Sequence, residues 1–388
     1  MDKKRIQWID NGKALSIFII FLAHTFEGFV YKSVYGLNTP LERGLYSLNF
    51  LSNFIIPFFF FMSGYVAKIK QNSFREYFIK KFSTLMIPMY IFNIISLILL
   101  LIVRVYYDGL LVEELRKYDF SKLEQLFLVF FGGVPAFNFP TWFLTCLFTT
   151  SLLFYVVYKI SKDNTKKLVV IAIALTLIGY SMEPIKNNLP GFIYIMFFWF
   201  IPTAFTSTAF YIFGYLSRRS GIFEKIESVN ILKYSIFFVS LTVLLLLTYF
   251  FPFHKYPQYY SLRGGPYMNH LVFGNYFIFY LAGISGIIMS VTFSMFFKKN
   301  KFMDYIGLNT LYLLGFIGIF YQFTTGSIAY LYVTLFIDKG YAFYICYCVF
   351  FSLLQLLLSL LFMKPVAFII NYSVNWVQKR LTSLLVKN

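Results

Sequence analysis

The chain has 388 residues, of which 59% are hydrophobic and only 13% are charged, and its formal net charge is +18. A water-soluble fold with so few charges would expose large apolar patches, so this composition excludes an ordinary soluble domain and indicates a protein embedded in lipid. The positive charge does not indicate a nucleic-acid partner, because lysine and arginine occur in short clusters between apolar stretches and not along one stripe.

About ten apolar stretches approach the length of about 20 residues that crosses the hydrocarbon core of a bilayer. In chain order they are residues 14–31, 45–67, 83–103, 140–158, 168–182, 192–216, 231–251, 271–296, 305–322 and 341–363. The stretch at 168–182 is the shortest. Two further apolar stretches, at 124–139 and 324–336, are too broken to span and are typical of re-entrant or interfacial segments. The sequence therefore predicts an all-α bundle of about ten transmembrane helices.

The basic residues predict how the bundle is oriented. If the N-terminus is cytoplasmic, 24 of the 34 lysines and arginines lie in inner segments and 10 lie in outer segments. The positive-inside rule then places both termini in the cytoplasm. We predict a single membrane domain over residues 1–388. Within it, residues 366–388 mix apolar side chains with Trp376 and Lys379, which favours a cytoplasmic amphipathic tail.

The first predicted helix carries ionisable side chains deep in the membrane. His24 lies about ten residues, or about 15 Å, into the span, and Glu27 follows one turn later on the same face. Lys13 precedes His24 by about three helical turns, so it shares that face, and Asp10 can neutralise Lys13 at the membrane boundary. Ionisable groups at such a depth are costly, and they are candidates for a functional site.

Two interpretations of His24 remain open. A neutral imidazole at this depth can take a proton from a hydroxyl nucleophile, while Glu27 orients the ring and stabilises the imidazolium. Alternatively, His24 forms a hydrogen bond that holds two helices together. In that case Glu27 lies near the outer end of its helix and is solvated.

Other candidates lie on later segments. Ser63 follows a run of phenylalanines and permits close backbone approach, although simple packing explains it equally. Lys80 and Lys81 can hold the phosphates of a cytosolic donor such as coenzyme A, although the positive-inside rule also accounts for them. Trp142 opens the fourth predicted span at the outer interface, where an aromatic belt would also place it.

The outer loop between the seventh and eighth predicted spans contains aromatic and planar cationic groups that suit a sugar ring. These candidates for acceptor binding are Tyr260, Arg263 and Tyr267. Anchoring of the tyrosines at the membrane interface is an alternative explanation.

Several segments, in order along the chain, resemble motifs of the acyltransferase-3 family of bacterial integral membrane O-acyltransferases. They are Arg5, the pair Ile9 and Asp10, the pair Lys13 and Ala14, His24, Phe58–Tyr65, Lys80–Pro88, Trp142–Leu144 and Tyr211–Tyr215. Lys13 and His24 match the family's spacing of a basic residue, ten residues and a histidine. The similarity covers nearly the whole chain, and it is greatest to the branch that O-acetylates surface polysaccharides.

The resemblance implies transfer of an acyl group, usually acetyl, from cytosolic acyl-CoA to a hydroxyl of a surface glycan or its lipid-linked precursor. The expected location is the bacterial cytoplasmic membrane, with acetyl-CoA as co-substrate and with no tightly bound cofactor and no metal. By analogy, His24 is the catalytic histidine, and Arg5, Asp10 and Lys13 support donor binding. Ser63, Lys80 and Lys81 complete the donor-side candidates.

One departure from the family is visible. Many members have a histidine soon after an Asn-Ser/Thr-Leu element, whereas here Asn309, Thr310 and Leu311 are followed by no histidine. No appended hydrolase-like domain is recognisable, so we expect the chain to complete the transfer itself or to pass the acyl group to a glycan-assembly protein. A glycan or lipid-linked-sugar transporter without acyl-transfer chemistry remains the main alternative. A polysaccharide polymerase is a weaker one, because few arginines lie in the outer loops.

Overall fold

A computed structural model describes residues 6–34, 50–69, 73–106, 122–188, 198–250 and 266–386. Helices dominate these residues, and the extended pairing found among them is one isolated antiparallel bridge between Tyr267 and Val272. The prediction of an all-α fold is confirmed.

The helices follow one another along the chain with short connections. They are α1 Gln7–Val34, α2 Ile55–Tyr65, α3 Phe74–Lys81, α4 Ile87–Tyr106, α5 Lys122–Phe127, α6 Trp142–Ser161, α7 Thr165–Asn188, α8 Ile201–Ser220, α9 Ile222–Ser228, α10 Asn230–Phe250, α11 Tyr276–Ser294, α12 Lys301–Leu308, α13 Thr310–Phe323, α14 Thr325–Phe336 and α15 Tyr341–Val386.

Within the described residues, seven helices are long and apolar enough to cross a membrane, or eight if α12 and α13 form one broken span. The total of about ten spans and the side of each terminus stay predictions. The segment at 168–182 belongs to a full helix, because α7 has 24 residues. The predicted span 305–322 is divided at Asn309 into α12 and α13. Shorter apolar helices cover 123–132 and 325–336, the two stretches that were judged too broken to span.

Both ends of the fold differ in detail from the expected boundaries. The first helix begins at Gln7 and not near residue 14, because Trp8 and Ile9 are already buried. The last helix continues without a break from Tyr341 to Val386 through Pro365. Residues 366–386 therefore extend the final helix, and the cytoplasmic, amphipathic character of this tail stays a prediction.

Helices α3 and α4 are joined through a short π-helical segment, Phe82–Met86. The hydroxyl of Ser83 donates to the carbonyl oxygen of Ile79, and the hydroxyl of Thr84 donates to that of Lys80 at 2.8 Å. A π turn holds more residues than an α turn and leaves backbone carbonyls less regularly bonded. These two hydroxyls satisfy carbonyl groups where the helix widens.

The contacts divide the chain into two units. Unit 1 comprises residues 1–67, 210–310 and 324–357, and unit 2 comprises 68–209, 311–323 and 358–388. In unit 1, α1 contacts α2, α11, α12 and α14, and α10 packs along α11. In unit 2, α6 contacts α3, α4 and α7.

In unit 1, α2 and the end of α8 approach each other through a pair of glycines. A Cβ atom at Gly64 would collide with the carbonyl oxygen of Tyr211, and a Cβ atom at Gly214 would collide with the carbonyl oxygen of Phe61. Lipid removes much of the hydrophobic drive for helices to associate, so close backbone approach supplies packing energy instead.

The variant Gly64→Ala is expected to destabilise the protein by about 1–3 kcal/mol, because the added methyl group meets backbone that has no room to move. Thermal unfolding of detergent-solubilised protein measures this. Gly340→Ala is the matched control, since a Cβ atom there meets nothing within 4 Å. Equal unfolding temperatures for the two variants would contradict the close approach of α2 and α8.

Candidate functional site

The start of α1 is fixed by buried amide hydrogen bonds. Asn11 is fully buried, and its Nδ2 donates to the carbonyl oxygens of Ser294 at 3.2 Å and Phe297 at 2.9 Å. Gln7 donates to the carboxylate of Asp304 on α12 at 2.8 Å. These bonds tie one helix to the end of α11 and to α12, and so they limit rotation of α1 about its axis.

Further along α1, His24 and Glu27 form a direct contact. Nδ1 of His24 lies 3.0 Å from Oε2 of Glu27, and the two side chains are 24% and 11% exposed. An ionised carboxylate can only accept hydrogen bonds, so Nδ1 carries the proton in this pair. Nε2 is then the ring nitrogen that can accept a proton from a substrate.

The two residues between His24 and Glu27 hold this turn of α1 in place. The hydroxyl of Thr25 lies 3.0 Å from the hydroxyl of Ser352 on α15, and both residues are buried. Phe26 stacks on Tyr344 with ring centroids 5.7 Å apart, within a buried cluster that also includes Tyr332. Packing on these sides fixes the backbone that presents the histidine and the glutamate.

The donor-side candidates of unit 1 lie on α1 and α2. Asp10 is buried, and Lys13 and Ser63 are half-buried. A Cβ atom on Gly307 would collide with the carbonyl oxygen of Asp10, so α12 lies directly against the backbone at this position. Arg5 lies outside the described residues.

The other predicted residues are spread over both units. Lys80 is exposed and Lys81 is half-buried at the end of α3 in unit 2, and Nζ of Lys81 lies 5.6 Å from the ring centroid of Tyr77. Tyr267 is half-buried in unit 1, with its ring centroid 6.3 Å from that of His270. Tyr260 and Arg263 lie outside the described residues.

Trp142 opens α6 in unit 2 and is buried against Phe200, with ring centroids 5.6 Å apart. The loop before it is held by Asn93, whose Oδ1 accepts from the backbone N–H groups of Phe137 and Asn138, each at 3.0 Å. The Nδ2 of Asn93 also donates to the hydroxyl of Thr141 at 3.1 Å. A single buried amide therefore positions the entry to α6.

One cluster at the start of α1 was missed by sequence reasoning. Trp8 is fully buried and meets the ring of Tyr65 edge-on, with centroids 4.9 Å apart. The hydroxyl of Tyr65 donates to Glu224 at 2.7 Å, and the guanidinium of Arg218 lies 5.6 Å from the Tyr65 ring centroid. Tyr65 ends the phenylalanine-rich motif, but no local pattern indicates that it meets residues about 150 positions later.

The family model Acyl_transf_3, an acyltransferase domain, matches residues 6–372. The chain belongs to the acyltransferase-3 family. No match was found among curated proteins or among solved structures. Family membership together with the apolar helices makes this chain a multi-pass member of a membrane acyltransferase family. The resemblance inferred from the motifs is thus confirmed at the level of the family, and the polysaccharide O-acetyltransferase branch stays a prediction.

The contact with Glu27 predicts the tautomer of His24. Nitrogen-15 NMR of histidine-labelled protein should show this ring with the proton on Nδ1, and His24→Gln assigns the signal among the three histidines. In Glu27→Ala the Nδ1 proton loses its acceptor, so the population of the Nε2–H tautomer should rise. Glu224→Gln, which alters a carboxylate elsewhere in unit 1, should leave the His24 signal unchanged. An Nε2–H tautomer in the wild type would contradict the proposed pairing.

Proposed function

We propose that this protein is a membrane O-acyltransferase that moves an acetyl group from cytosolic acetyl-CoA to a hydroxyl of a surface glycan or its lipid-linked precursor. The hydrogen bond between His24 and Glu27 is the observation that carries the proposal. It supplies a base and a group that orients the base, on a helix of a chain that belongs to an acyltransferase family.

In the proposed reaction, the acceptor hydroxyl attacks the thioester carbonyl carbon while Nε2 of His24 takes the hydroxyl proton. Glu27 stabilises the resulting imidazolium through its bond to Nδ1. The tetrahedral intermediate then collapses, the carbon–sulfur bond breaks, and the imidazolium returns the proton to the coenzyme A thiolate. The products are the O-acetyl ester and free coenzyme A, and His24 is regenerated.

The substrates are proposed to approach His24 from opposite sides of the membrane. The donor phosphates would bind near basic groups on the cytoplasmic side, with Ser63, Asp10 and Arg5 also on the donor side; the basic groups are Lys13, Lys80, Lys81 and Arg218. The acceptor would bind near Trp142, Tyr260, Arg263 and Tyr267. Chemistry between the two faces would let the acyl group cross the bilayer of the bacterial cytoplasmic membrane without passage of coenzyme A, with glycan-assembly proteins as partners.

Removing the base is expected to remove activity. Purified protein in liposomes, supplied with labelled acetyl-CoA and acceptor glycan, should release coenzyme A and label the glycan. His24→Ala and His24→Gln should each lose about 10²–10⁴-fold in rate, the usual contribution of a general base. Ser240→Ala is the control, because its buried hydroxyl bonds only to carbonyl oxygens of its own helix within the described residues. Full activity in His24→Gln would favour the transporter alternative.

Glu27→Gln should reduce the rate less than removal of His24. The amide oxygen can still accept from Nδ1, but a charge-assisted bond that contributes about 1.5–3 kcal/mol is lost, which corresponds to about a 10- to 100-fold slower rate. The fall should appear in kcat and not in the KM for acetyl-CoA, because Glu27 acts on the imidazolium. A change confined to the KM would place Glu27 in donor binding instead.

A further inference from the structure

A cavity of about 570 Å³ lies in unit 1 beside the start of α1. We call it the lysine cavity, and the residues that define it here are Gln7, Trp8, Lys233, Tyr234, Lys298 and Lys299. The site predictions and the proposed reaction use none of these six residues. The lysine cavity is therefore a feature for which the proposed function gives no account.

Lys233 is the most constrained of the three lysines. Only 9% of this residue is exposed, although it carries a charge at the first turn of α10. Its Nζ donates to Oδ1 of Asn230 at 3.2 Å and lies 5.3 Å and 5.8 Å from the ring centroids of Tyr234 and Phe296. A buried ammonium held by a neutral amide and two rings retains attraction for an anion.

The charge balance of the lysine cavity is positive. Lys298 and Lys299 are exposed at its rim, and Glu227 is the acidic residue in its lining. Burial, and then the nearby charge of Glu224, raise the pKa of Glu227, while Lys233 acts in the opposite direction. One carboxylate with a raised pKa cannot neutralise three ammonium groups.

A hydrogen-bond donor adds to this charge. Trp8 lines the lysine cavity and is fully buried, and its indole N–H has no hydrogen-bond acceptor among the described residues. Buried donors nearly always have a partner, so such a group calls for an acceptor that the described chain does not provide. Phosphate oxygens satisfy both the lysines and a donor of this kind.

The position of the lysine cavity points to the source of the phosphate. It lies at the first turn of α10 and just beyond the end of α11, two helices that are long and apolar enough to span. Only 11% of the apolar stretch of α10 is buried within the protein, and Ile231 and Val239 on it are exposed. Lipid therefore surrounds α10, and phospholipid headgroups lie at the level where spanning helices end.

We propose that the lysine cavity binds the phosphate headgroup of an anionic phospholipid. Lys233 contacts the phosphate from inside the cavity, Lys298 and Lys299 contact it from the rim, and the acyl chains lie along the exposed face of α10. The cavity is remote from the proposed reaction, because Trp8 and His24 are separated by about 24 Å along the axis of α1. This separation favours a lipid over the phosphates of the acyl donor.

Native mass spectrometry of the purified full chain, incubated with equal amounts of phosphatidylglycerol and phosphatidylcholine, tests the proposal. The cavity variant is the triple substitution Lys233→Gln, Lys298→Gln and Lys299→Gln. Its control removes equal charge from the exposed α6–α7 connection through Lys162→Gln, Lys166→Gln and Lys167→Gln. Wild type and control should retain phosphatidylglycerol selectively, and the cavity variant should lose at least about tenfold of that selectivity, since each lysine near a headgroup contributes about 1 kcal/mol.

If the cavity variant fails to fold, the double variant Lys298→Gln and Lys299→Gln, which alters only exposed side chains, should still lose several-fold of the selectivity. Unchanged selectivity in the folded variants would overturn the proposal. A second arm measures binding of labelled acetyl-CoA in lipid-free detergent. Loss of that binding in the cavity variant, with lipid selectivity intact, would also overturn the proposal and assign the lysine cavity to the acyl donor. The liposome assay of His24 variants tests the reaction separately.

Discussion

The attachment of α1 to its neighbours is the interaction on which the candidate site depends. Helices in lipid gain little from burying apolar surface against one another, so their positions rest on close packing and on interhelical hydrogen bonds. Helix α1 uses both, because the Asn11 amide bonds two backbone carbonyls near the end of α11 and Gly307 brings α12 against the backbone of Asp10. Replacing either small or polar group would loosen the helix that carries His24.

Anchoring of the backbone matters here because a base and its orienting carboxylate are effective only within a narrow geometry. Thr25 and Phe26 fill the interval between His24 and Glu27 and contact α15. The site is thus built on one helical turn whose intervening residues are held by other parts of unit 1. Preorganisation of this kind lowers the cost of positioning a charge during the reaction.

Much of the fold could be predicted from the sequence, because hydrophobic length alone separates spanning helices from connections. The positions of α1, α6, α7, α10 and α11 follow from that criterion, and the adjacency of His24 and Glu27 follows from helical periodicity. Hydropathy could not reveal the break at Asn309, because apolar residues continue across it.

The parts that could not be predicted share a physical cause. The pairing of Tyr65 with Glu224 and the gathering of Lys233 and Lys299 around Trp8 join residues that are far apart in sequence. Such contacts are set by how helices pack, and one sequence carries no local signal for them. The lysines in particular satisfy the positive-inside rule, which explains their side of the membrane but not their convergence on one cavity.

The π-helical segment Phe82–Met86 has a consequence for the history of this chain. A π turn accommodates one residue more than the α turn it replaces, so losing one residue there would restore a continuous α-helix. The side chains on either side, including Lys81 and Asn93, would keep their facing. A deletion elsewhere in the same helix would rotate everything beyond it by about 100°. Evolutionary insertions and deletions in this helix should therefore concentrate in these five residues.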